Sequence, residues 1–446
     1  MGVRRWRELL EQALKGRVEA WEVFWARTRR LGAVARGQEE FRRVRAISEG
    51  IGLRVIVEGR VGFSFAAGPP LEDSAARIAE LAVAGAMAGG VEEGFSFAPP
   101  PSALPEPQPI DKAIVSLEHK SLAEMALELA RAAIAADEKV VQVYPAHVET
   151  SVSEVVVLNS HGLELSREEA AITAFLEVVA SDGRAQESAW DVAAARRLEQ
   201  LDLPGLGSCV AREAVSQLGA SPVGDGVYDV IFHPRAAGGL VELVAQSLRG
   251  DNMLKGRSML LGKQGQKVFS ELVSITDDPF APGGVIHRVF DDEGSPCSRL
   301  LMVDRGRVAR LAYDRLWAAR AGLSSTGSCI RPATSSPPGV GFTNLMLEPG
   351  EAGEIEDMAQ DMGKGLVITQ LMGLHTADPI SGRLSVGASG YLVEGGQITR
   401  AVRSIAIAGE LKELFARVRG VGSQVVFRGT VGAAAVAVEG VSVSGP

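Results

Sequence analysis

The stretch that decides the fold runs from Val227 to Asp251 and reads VYDVIFHPRAAGGLVELVAQSLRGD. Its first six residues form a short apolar run, which predicts a strand. Pro234 then suits the first turn of a helix, because its missing N–H would have no partner there. Gly250 closes a run in which apolar side chains recur at three- and four-residue spacing. These are Leu240, Val241, Val244 and Leu248. The stretch therefore predicts a strand followed by a helix that buries one face.

Length and composition predict an ordinary globular protein with more than one core. The chain has 446 residues, and a single core stops growing at about 250–300 residues. Its apolar content of 46% and charged content of 23% are typical of soluble domains. The net charge of −9 disfavours direct binding to nucleic acid or to acidic membranes, because those partners need clustered positive charge.

The sequence shows no export or membrane signal. Residues 1–6 are basic, but charged residues follow where a signal peptide would have an apolar core. No run of about 18 apolar residues occurs, so no spanning helix is expected. Cys209, Cys297 and Cys329 are too few and too scattered for a disulfide framework or a paired-cysteine zinc site. We expect a cytoplasmic protein.

The order of predicted elements indicates two domains. Residues 218–226 are rich in glycine and proline and have the composition of a linker. We therefore predict an N-terminal α+β domain over residues 1–220. A sheet-rich C-terminal domain over residues 221–446 would carry the helix described above. The expected fold class is α+β, with antiparallel or mixed sheets flanked by helices.

Within the first domain, residues 1–40 are expected to form an arginine-rich helix, and Trp6, Trp21 and Trp25 are interpreted as core or partner-contact residues. Residues 50–65 predict a hairpin that turns at Glu58-Gly59, because glycine supplies the positive φ of tight turns. Further helices are predicted at 71–87, 117–136, 191–201 and 208–218, and further strands at 140–144, 152–158, 163–166 and 172–180.

Three polar features allow both a functional and a structural interpretation. Residues 291–293, Asp-Asp-Glu, could bind a cation, but an exposed acidic turn is favoured. Cys329 lies near Arg331, which could lower the pKa of its thiol. No histidine is placed to take its proton, so a buried small residue is favoured. His161 is interpreted first as a turn residue of Asn-Ser-His-Gly at 159–162.

The helix over residues 236–250 resembles the metal-binding helix of the TldD/TldE (PmbA) metallopeptidase family. The active subunit of that family carries His-Glu-x-x-x-His followed by Gly-Asp. Alignment on Gly250-Asp251 places Glu242 over the family's glutamate, and Val241 and Gln246 over its two histidines. Valine has no lone pair and an amide oxygen is a poor zinc ligand. The resemblance therefore predicts that the catalytic metal site is missing, with Glu242 as a remnant.

Other motifs extend the resemblance over most of residues 40–446. They are the hairpin at 50–65, the turn at 159–162, the Ser-Thr-Gly loop at 325–331 and the glycine-rich stretch at 363–391. The active subunit takes its third ligand from a cysteine near the C-terminus, and residues 425–432 occupy that region without one. No cysteine follows Cys329.

The resemblance implies a non-catalytic, TldE/PmbA-like subunit of a cytoplasmic TldD/TldE metallopeptidase complex that processes unfolded or modified peptides. No cofactor is expected in this chain, and zinc is expected in a TldD-type partner. That partner would be the catalytic subunit, unless the chain forms a homodimer. "Modulator of DNA gyrase" is a name that is also attached to the family.

Two alternatives stay open at this point. The chain could be a metal-free, homodimeric peptide-binding or scaffold protein without a TldD partner. It could also be a metallopeptidase with relocated ligands, in which Glu242 still acts as the base. Whether this chain is itself an enzyme is thus undecided by its sequence.

Overall fold

The computed structural model describes residues 2–37 and 39–445. These residues contain ten α-helices and twenty-one strands. The helices are α1 (Gly2–Leu14), α2 (Glu72–Ala88), α3 (Lys112–Ser116), α4 (His119–Ala136), α5 (Leu203–Ser216), α6 (Pro234–Gln246), α7 (Gly250–Leu254), α8 (Arg315–Arg320), α9 (Ile355–Met362) and α10 (Leu411–Ala416). None of these described helices is long and apolar enough to cross a membrane.

The strands of the first half are β1 (Ala20–Arg36), β2 (Glu39–Val57), β3 (Arg60–Ala67), β4 (Val140–Val143), β5 (Ala146–Asn159), β6 (Glu164–Ser181) and β7 (Gln186–Ala195). They form one sheet in the order β3-β2-β1-β5-β6-β4, with β7 also paired to β6. Every pairing in this N-terminal sheet is antiparallel.

The strands of the second half are β8 (Gly226–Phe232), β9 (Ile275–Asp277), β10 (Leu300–Asp304), β11 (Arg307–Val308), β12 (Cys329–Ile330), β13 (Gly339–Val340), β14 (Leu345–Leu347), β15 (Lys364–Met372), β16 (Arg383–Glu394), β17 (Gln397–Glu410), β18 (Val418–Val421), β19 (Val426–Arg428), β20 (Val431–Ala433) and β21 (Val436–Ser444).

The second half contains two larger sheets and one helix between them. One sheet has the order β17-β16-β15-β8-β21-β18, with β8 and β15 parallel. The other has the order β11-β10-β9-β14-β20-β19. Helix α6 contacts β8 and β15 of the first and β14, β19 and β20 of the second. The predicted α+β class, with antiparallel and mixed sheets flanked by helices, is confirmed.

Two predictions for the first half are wrong. Residues 20–36 do not continue a helical segment but form β1, in which Trp21, Val23 and Trp25 point to one side and Glu22 and Phe24 to the other. This alternation has the period of a strand. The helix expected at residues 191–201 is the end of β7 followed by a single 3₁₀ turn.

Other predictions for the first half are confirmed. The side chains of Trp6, Trp21 and Trp25 are buried in one cluster with α1 and α2. The hairpin of β2 and β3 turns at Glu58 and Gly59, whose φ angles are 50° and 69°. The predicted helices at 71–87, 117–136 and 208–218 correspond to α2, α4 and α5.

The two faces of the N-terminal sheet have different neighbours. One face is covered by α1 and α2 at one end and by α4 and α5 at the other. On the opposite face, Phe24, Val155 and Val157 pack against Val289 and Phe290 of the second half. The sheet therefore joins the two halves of the chain through the face that no helix covers.

Residues 331–335 lie directly on this second face, above two glycines of β2. A Cβ atom added to Gly52 would lie 2.7 Å from the backbone oxygen of Thr334, and one added to Gly50 would lie 2.6 Å from its Oγ1. Both distances are shorter than a van der Waals contact allows. The close approach of the loop therefore requires glycine at these positions.

We predict that Gly52→Ala lowers the free energy of unfolding by about 1–3 kcal/mol, because the Thr334 backbone must move to admit the methyl group. Urea denaturation of the full chain measures this change. Gly90→Ala is the matched control, since a Cβ atom there meets nothing within 4 Å, and we expect it to change stability by less than about 0.5 kcal/mol. Equal stability of the two variants would contradict the proposed contact.

Candidate functional site

Helix α6 places Val241 on its buried side, whereas Glu242 and Gln246, which are four residues apart, share another side. Val241 is fully buried in the apolar core of the second half. Glu242 is exposed, and Gln246 at the last turn is half-buried. The helix starts after His233, whose Nδ1 accepts a hydrogen bond from the Arg235 backbone N–H at 3.2 Å. The predicted strand followed by a helix is therefore confirmed, but the helix ends at Gln246 and not at Gly250, which begins α7.

The side chains around Gln246 do not form a zinc site. The Arg249 guanidinium donates to Gln246 Oε1 at 3.3 Å and to the Asp251 carboxylate at 3.0 and 3.3 Å. Lys255 Nζ donates to the same carboxylate at 3.0 Å. Two cations therefore already neutralise the acidic group closest to this turn, and a divalent cation there would be repelled.

The segment that aligns with the third zinc ligand of the family's active subunit also lies next to α6. Residues 425–432 form β19 and the start of β20, which pack against that helix, and they include no cysteine. Among the residues that the structure describes, no group of three or more His, Cys, Asp or Glu side chains is placed to hold a metal ion. The donor set of this region therefore does not fit the zinc that the family resemblance implies.

A buried ion network lies between the N-terminal sheet and the second half. Asp291, Asp292 and Glu293 are only 1%, 2% and 0% exposed, so the prediction of an exposed acidic turn is wrong. Arginine side chains from distant parts of the chain surround the acidic residues and make their burial possible, since a buried carboxylate without a partner would be very unfavourable.

The centre of the network is formed by two arginines and two glutamates. Arg54 donates to Glu22 Oε1 from Nε at 3.0 Å and from Nη2 at 2.8 Å, and its Nη1 lies 2.7 Å from Glu293 Oε1. Arg331 donates to the same Glu22 oxygen. The Arg54 guanidinium also lies over the rings of Phe95 and Phe97, at 5.6 and 5.2 Å from their centroids. These contacts join five separate segments of the chain.

A second layer continues the network toward β6. Arg167 donates to Glu169 at 2.8 Å and to Asp292, and Arg288 donates to the two oxygens of Glu169 at 2.6 and 3.2 Å. Burial alone would raise the pKa of Glu169, but Arg288 and Arg167 outweigh burial and hold this pKa at about 2. Asp292 also accepts the Arg331 backbone N–H at 2.7 Å. Glu169 therefore stays ionised over the whole physiological range.

Asp291 has a different environment from its neighbours. Its carboxylate accepts backbone N–H groups of Glu293, Ser295 and Cys329 at 2.9, 2.9 and 3.1 Å. Burial and the nearby charge of Glu293 raise the pKa of this group. Asp291 therefore shapes the loop around it and is not placed to bind a cation.

Two further predictions about single residues are confirmed. Cys329 is 1% exposed, and burial together with Glu293 and Asp291 raises the pKa of its thiol well above the ordinary value. A thiol of this kind is a packing group, because the reactive form of cysteine is the thiolate. His161 lies in the turn between β5 and β6, where its backbone N–H donates to Asn159 Oδ1 at 2.9 Å.

A second charged cluster connects β7 and α5 with the start of α6. Arg235 donates to both oxygens of Glu213, at 3.1 and 2.7 Å, and Arg428 donates to Asp191. Burial and these two arginines lower the pKa of His233 to about 4. The imidazole is therefore neutral at neutral pH, as its role of acceptor at the start of α6 requires.

A cleft on the open face of the N-terminal sheet lies beside the ion network of Arg167, Arg288 and Arg331. Its volume is about 650 Å³, and it lies between the sheet and residues 331–335. Its floor comes from β1, β2 and β5, and its wall includes Arg167, Arg288 and Arg331. Ser151 and Ser153 also line a smaller cavity of about 130 Å³ that extends to Gln108 and His287. The cleft is thus a polar groove beside the ion network.

Sequence reasoning missed Glu22, Arg54, Arg167, Glu169 and Arg288. A signal existed for the first two, because each is a single charge inside a short apolar strand segment, AWEVFW and GLRVIV. Charges at such positions are buried and paired when the strand lies within a sheet. Their partners are up to 309 residues away in the chain, and no local pattern identifies partners at that distance.

Comparisons with known proteins agree with this architecture. Models of the PmbA/TldA metallopeptidase family match as domain 1 over residues 21–86, as central domain over 105–221 and as C-terminal domain over 225–445. A metalloprotease of Methanothermobacter thermautotrophicus is 28% identical over 84% of this chain and 82% of its own length. The PmbA homologue of Haemophilus influenzae is 26% identical over 72% of this chain and 69% of its own length.

Solved structures give the same result for the fold. A putative modulator of DNA gyrase from Thermotoga maritima superimposes with a TM-score of 0.90 and 26% identity, over 99% of this chain and all of that one. TldE from Thermococcus kodakarensis has a TM-score of 0.90 at 24% identity, with the same coverage of both chains.

Fold and sequence together define an α+β protein built on a metallopeptidase scaffold. The match of the three family models covers most of the chain. The chain belongs to the PmbA/TldD metallopeptidase family, as the motifs in its sequence predict.

We predict that Glu169→Gln destabilises the protein by about 2–3 kcal/mol at pH 7, because the variant loses a carboxylate whose folded pKa lies below its unfolded value. A lowered folded pKa stabilises the fold above the ordinary value of 4.5, and this contribution disappears as the pH falls toward about 2. The difference between wild type and variant should therefore shrink over this window. Urea denaturation as a function of pH measures it.

Glu168→Gln is the control for this experiment. Glu168 is the exposed neighbour on the same strand, without an ion pair among the described residues. We expect it to change stability by less than about 0.5 kcal/mol at pH 7. The wild type and Glu169→Gln are compared at pH 6 and pH 3, which lie on either side of the ordinary glutamate pKa of about 4.3. If their difference in free energy of unfolding is the same at both pH values, the lowered pKa of Glu169 is contradicted.

Proposed function

We propose that this chain is the non-catalytic, TldE-type subunit of a cytoplasmic TldD/TldE metallopeptidase complex that processes unfolded or modified peptides. The partner is a TldD-type chain that binds the zinc and performs hydrolysis. This chain contributes structure and part of the surface that admits the peptide. It needs no cofactor of its own.

The observation that carries this proposal is the chemistry of α6 at the two ligand positions. Val241 is packed in the apolar core, and the amide of Gln246 is bound by Arg249. Neither side chain can supply a zinc donor, and the neighbouring residues 425–432 lack a thiol. Glu242, the remaining motif residue, is exposed to solvent.

The metal content of the purified chain tests this proposal. We expect substoichiometric zinc by elemental analysis and no cleavage of an unfolded, labelled protein substrate. Activity should appear when a TldD-type chain is added, and that chain should co-purify with this one. One tightly bound zinc per isolated chain would overturn the proposal, and so would cleavage by the isolated chain. Activity of the partner that is unaffected by this chain would favour the metal-free homodimer.

Substitution of Glu242 separates a subunit role from a relocated active site. We predict that Glu242→Gln leaves the rate of the reconstituted pair unchanged, because Val241 and Gln246 beside it offer no donors for a zinc ion that would polarise a water molecule for a general base. Kinetics of the pair measure this. A loss of 10²-fold or more, the effect that removal of a general base has, would show that Glu242 acts in catalysis.

The apolar packing of Val241 gives a further prediction. Val241→His should lower the free energy of unfolding by about 1–3 kcal/mol, because it buries an imidazole that has no partner in the apolar core. The matched control is Glu242→His on the exposed side of the same turn, which should change stability by less than about 0.5 kcal/mol. Urea denaturation at pH 8 compares them, a pH at which histidine, with an ordinary pKa of about 6.5, is neutral. A Val241→His variant as stable as its control would contradict the buried position.

A further inference from the structure

The floor of the cleft is an ordered platform of small polar side chains. Directly paired residues of antiparallel strands lie on the same face of a sheet. Thr28 is paired with Ser48 on β2 and with Ser153 on β5, and its Oγ1 lies 2.9 Å from Ser153 Oγ. Arg30, the next residue on this face of β1, is paired with Ala46 and Ser151. One guanidinium therefore lies on the same face as four hydroxyl groups.

The acidic residues of the cleft are already paired with arginines. Glu169 is bound by Arg167 and Arg288, and Asp292 is bound by Arg167. Glu49 is paired with Arg27 on the opposite face of the sheet, where its carboxylate lies 3.8 Å from the Arg27 guanidinium. The carboxylates of the cleft are therefore neutralised by groups other than Arg30.

Arg30 has no such partner. It lines the cleft, is exposed, and forms no ion pair or side-chain hydrogen bond with any residue in the described part of the chain. Arg167 and Arg331 also line the cleft, and in each of them the buried Nη1 has no hydrogen-bond partner among the described residues. The positive charge of Arg30 and the Nη1 donors of Arg167 and Arg331 thus have no partner among the described residues, whereas the carboxylates of the cleft do.

We infer that this cleft binds the C-terminal carboxylate of a peptide, with Arg30 as the group that recognises it. A guanidinium presents two parallel N–H donors that match the two oxygens of a carboxylate. The hydroxyl groups of Thr28, Ser151 and Ser153 supply further donors at the floor. The inference rests on the proposed function in taking a peptide as the ligand.

The surrounding charges favour a singly charged ligand over a polyanion. Arg30 is the one guanidinium of the cleft lining that is exposed and lacks an acidic partner among the described residues, which matches a single negative charge, and the net charge of −9 disfavours a chain of phosphates. The smaller cavity past Ser151 and Ser153 continues the groove toward Gln108, which leaves room for the residues that precede the chain end. A peptide could therefore lie across the sheet with its last residue at Arg30.

Binding of labelled hexapeptides to the full-length chain tests the inference. Three peptides of alanine and serine are compared by fluorescence polarisation: one with a free C-terminus, one amidated, and one amidated with an internal glutamate. We expect the free-acid peptide to bind the wild type at least about tenfold more tightly than either amidated peptide, as loss of a charge-assisted hydrogen bond implies. Arg30→Gln should remove this preference.

Arg45→Gln is the matched control, because it changes the net charge equally. Arg45 is paired with Leu31 and lies on the opposite face of the sheet, and this variant should keep the preference for the free acid. Equal binding of the three peptides by the wild type would overturn the inference. A preference that survives in Arg30→Gln would overturn it too, as would equal binding of the free-acid and internal-glutamate peptides.

Failure of this experiment is distinguishable from failure of the proposed function. The proposed function is decided by the zinc content of the isolated chain and by its effect on a TldD-type partner. The peptide assay contains no partner and no metal. Thermal denaturation of Arg30→Gln, expected to match the wild type because Arg30 is exposed, shows that any loss of binding is local.

Discussion

The ion network around Glu22, Arg54 and Arg331 is the constraint on which the relation between the two halves of the chain depends. Each of these side chains is almost fully buried, and transfer of a charge from water to such a site costs several kcal/mol. The cost is offset only where every charge meets a partner. Glu22 receives three guanidinium hydrogen bonds from two arginines. Any shift of residue 331 away from the sheet would leave these charges buried and unpaired, so the network selects one packing of the two halves.

The position of the cleft follows from the same constraint. Arg331 begins the loop that lies over Gly50 and Gly52, and Arg288 and Asp292 hold the opposite part of the wall against β6. The loop is therefore held at one end by the ion pair of Arg331 with Glu22, and residue 334 lies against the backbone of Gly50 and Gly52. A groove results where the sheet continues past the loop, because α1, α2, α4 and α5 pack on the other face of the sheet. Its width is set by a rigid sheet and a pinned loop.

Local patterns predicted much of the fold, and long-range electrostatics explain what they missed. The helical spacing of Leu240, Val241 and Val244 identified α6, and the Glu58-Gly59 turn identified the hairpin of β2 and β3. The acidic triplet at residues 291–293 was predicted to be exposed, since three adjacent carboxylates are normally solvated. Its burial depends on Arg54, Arg167 and Arg331, which lie far away in the sequence. The strand at residues 186–195 was missed for a related reason: its alanine-rich end favours helix in isolation, and pairing with β6 overrides that preference.

The candidate site was also predictable only where it depends on residue types at single positions and not on strand pairing. The loss of the metal ligands is a property of residue types at three positions, so sequence alone could identify it. The cleft is made of residues that carry no motif, such as Thr28, Arg30 and Ser153, and only the pairing of β1 with β2 and β5 brings them together. Helix α6 is stabilised by its apolar face, which includes Val241 itself. The packing of this helix therefore depends on apolar contacts and not on a metal ligand at position 241. The cleft on the open face of the N-terminal sheet is lined by residues from outside this helix, so the residue types at positions 241, 242 and 246 do not alter its lining.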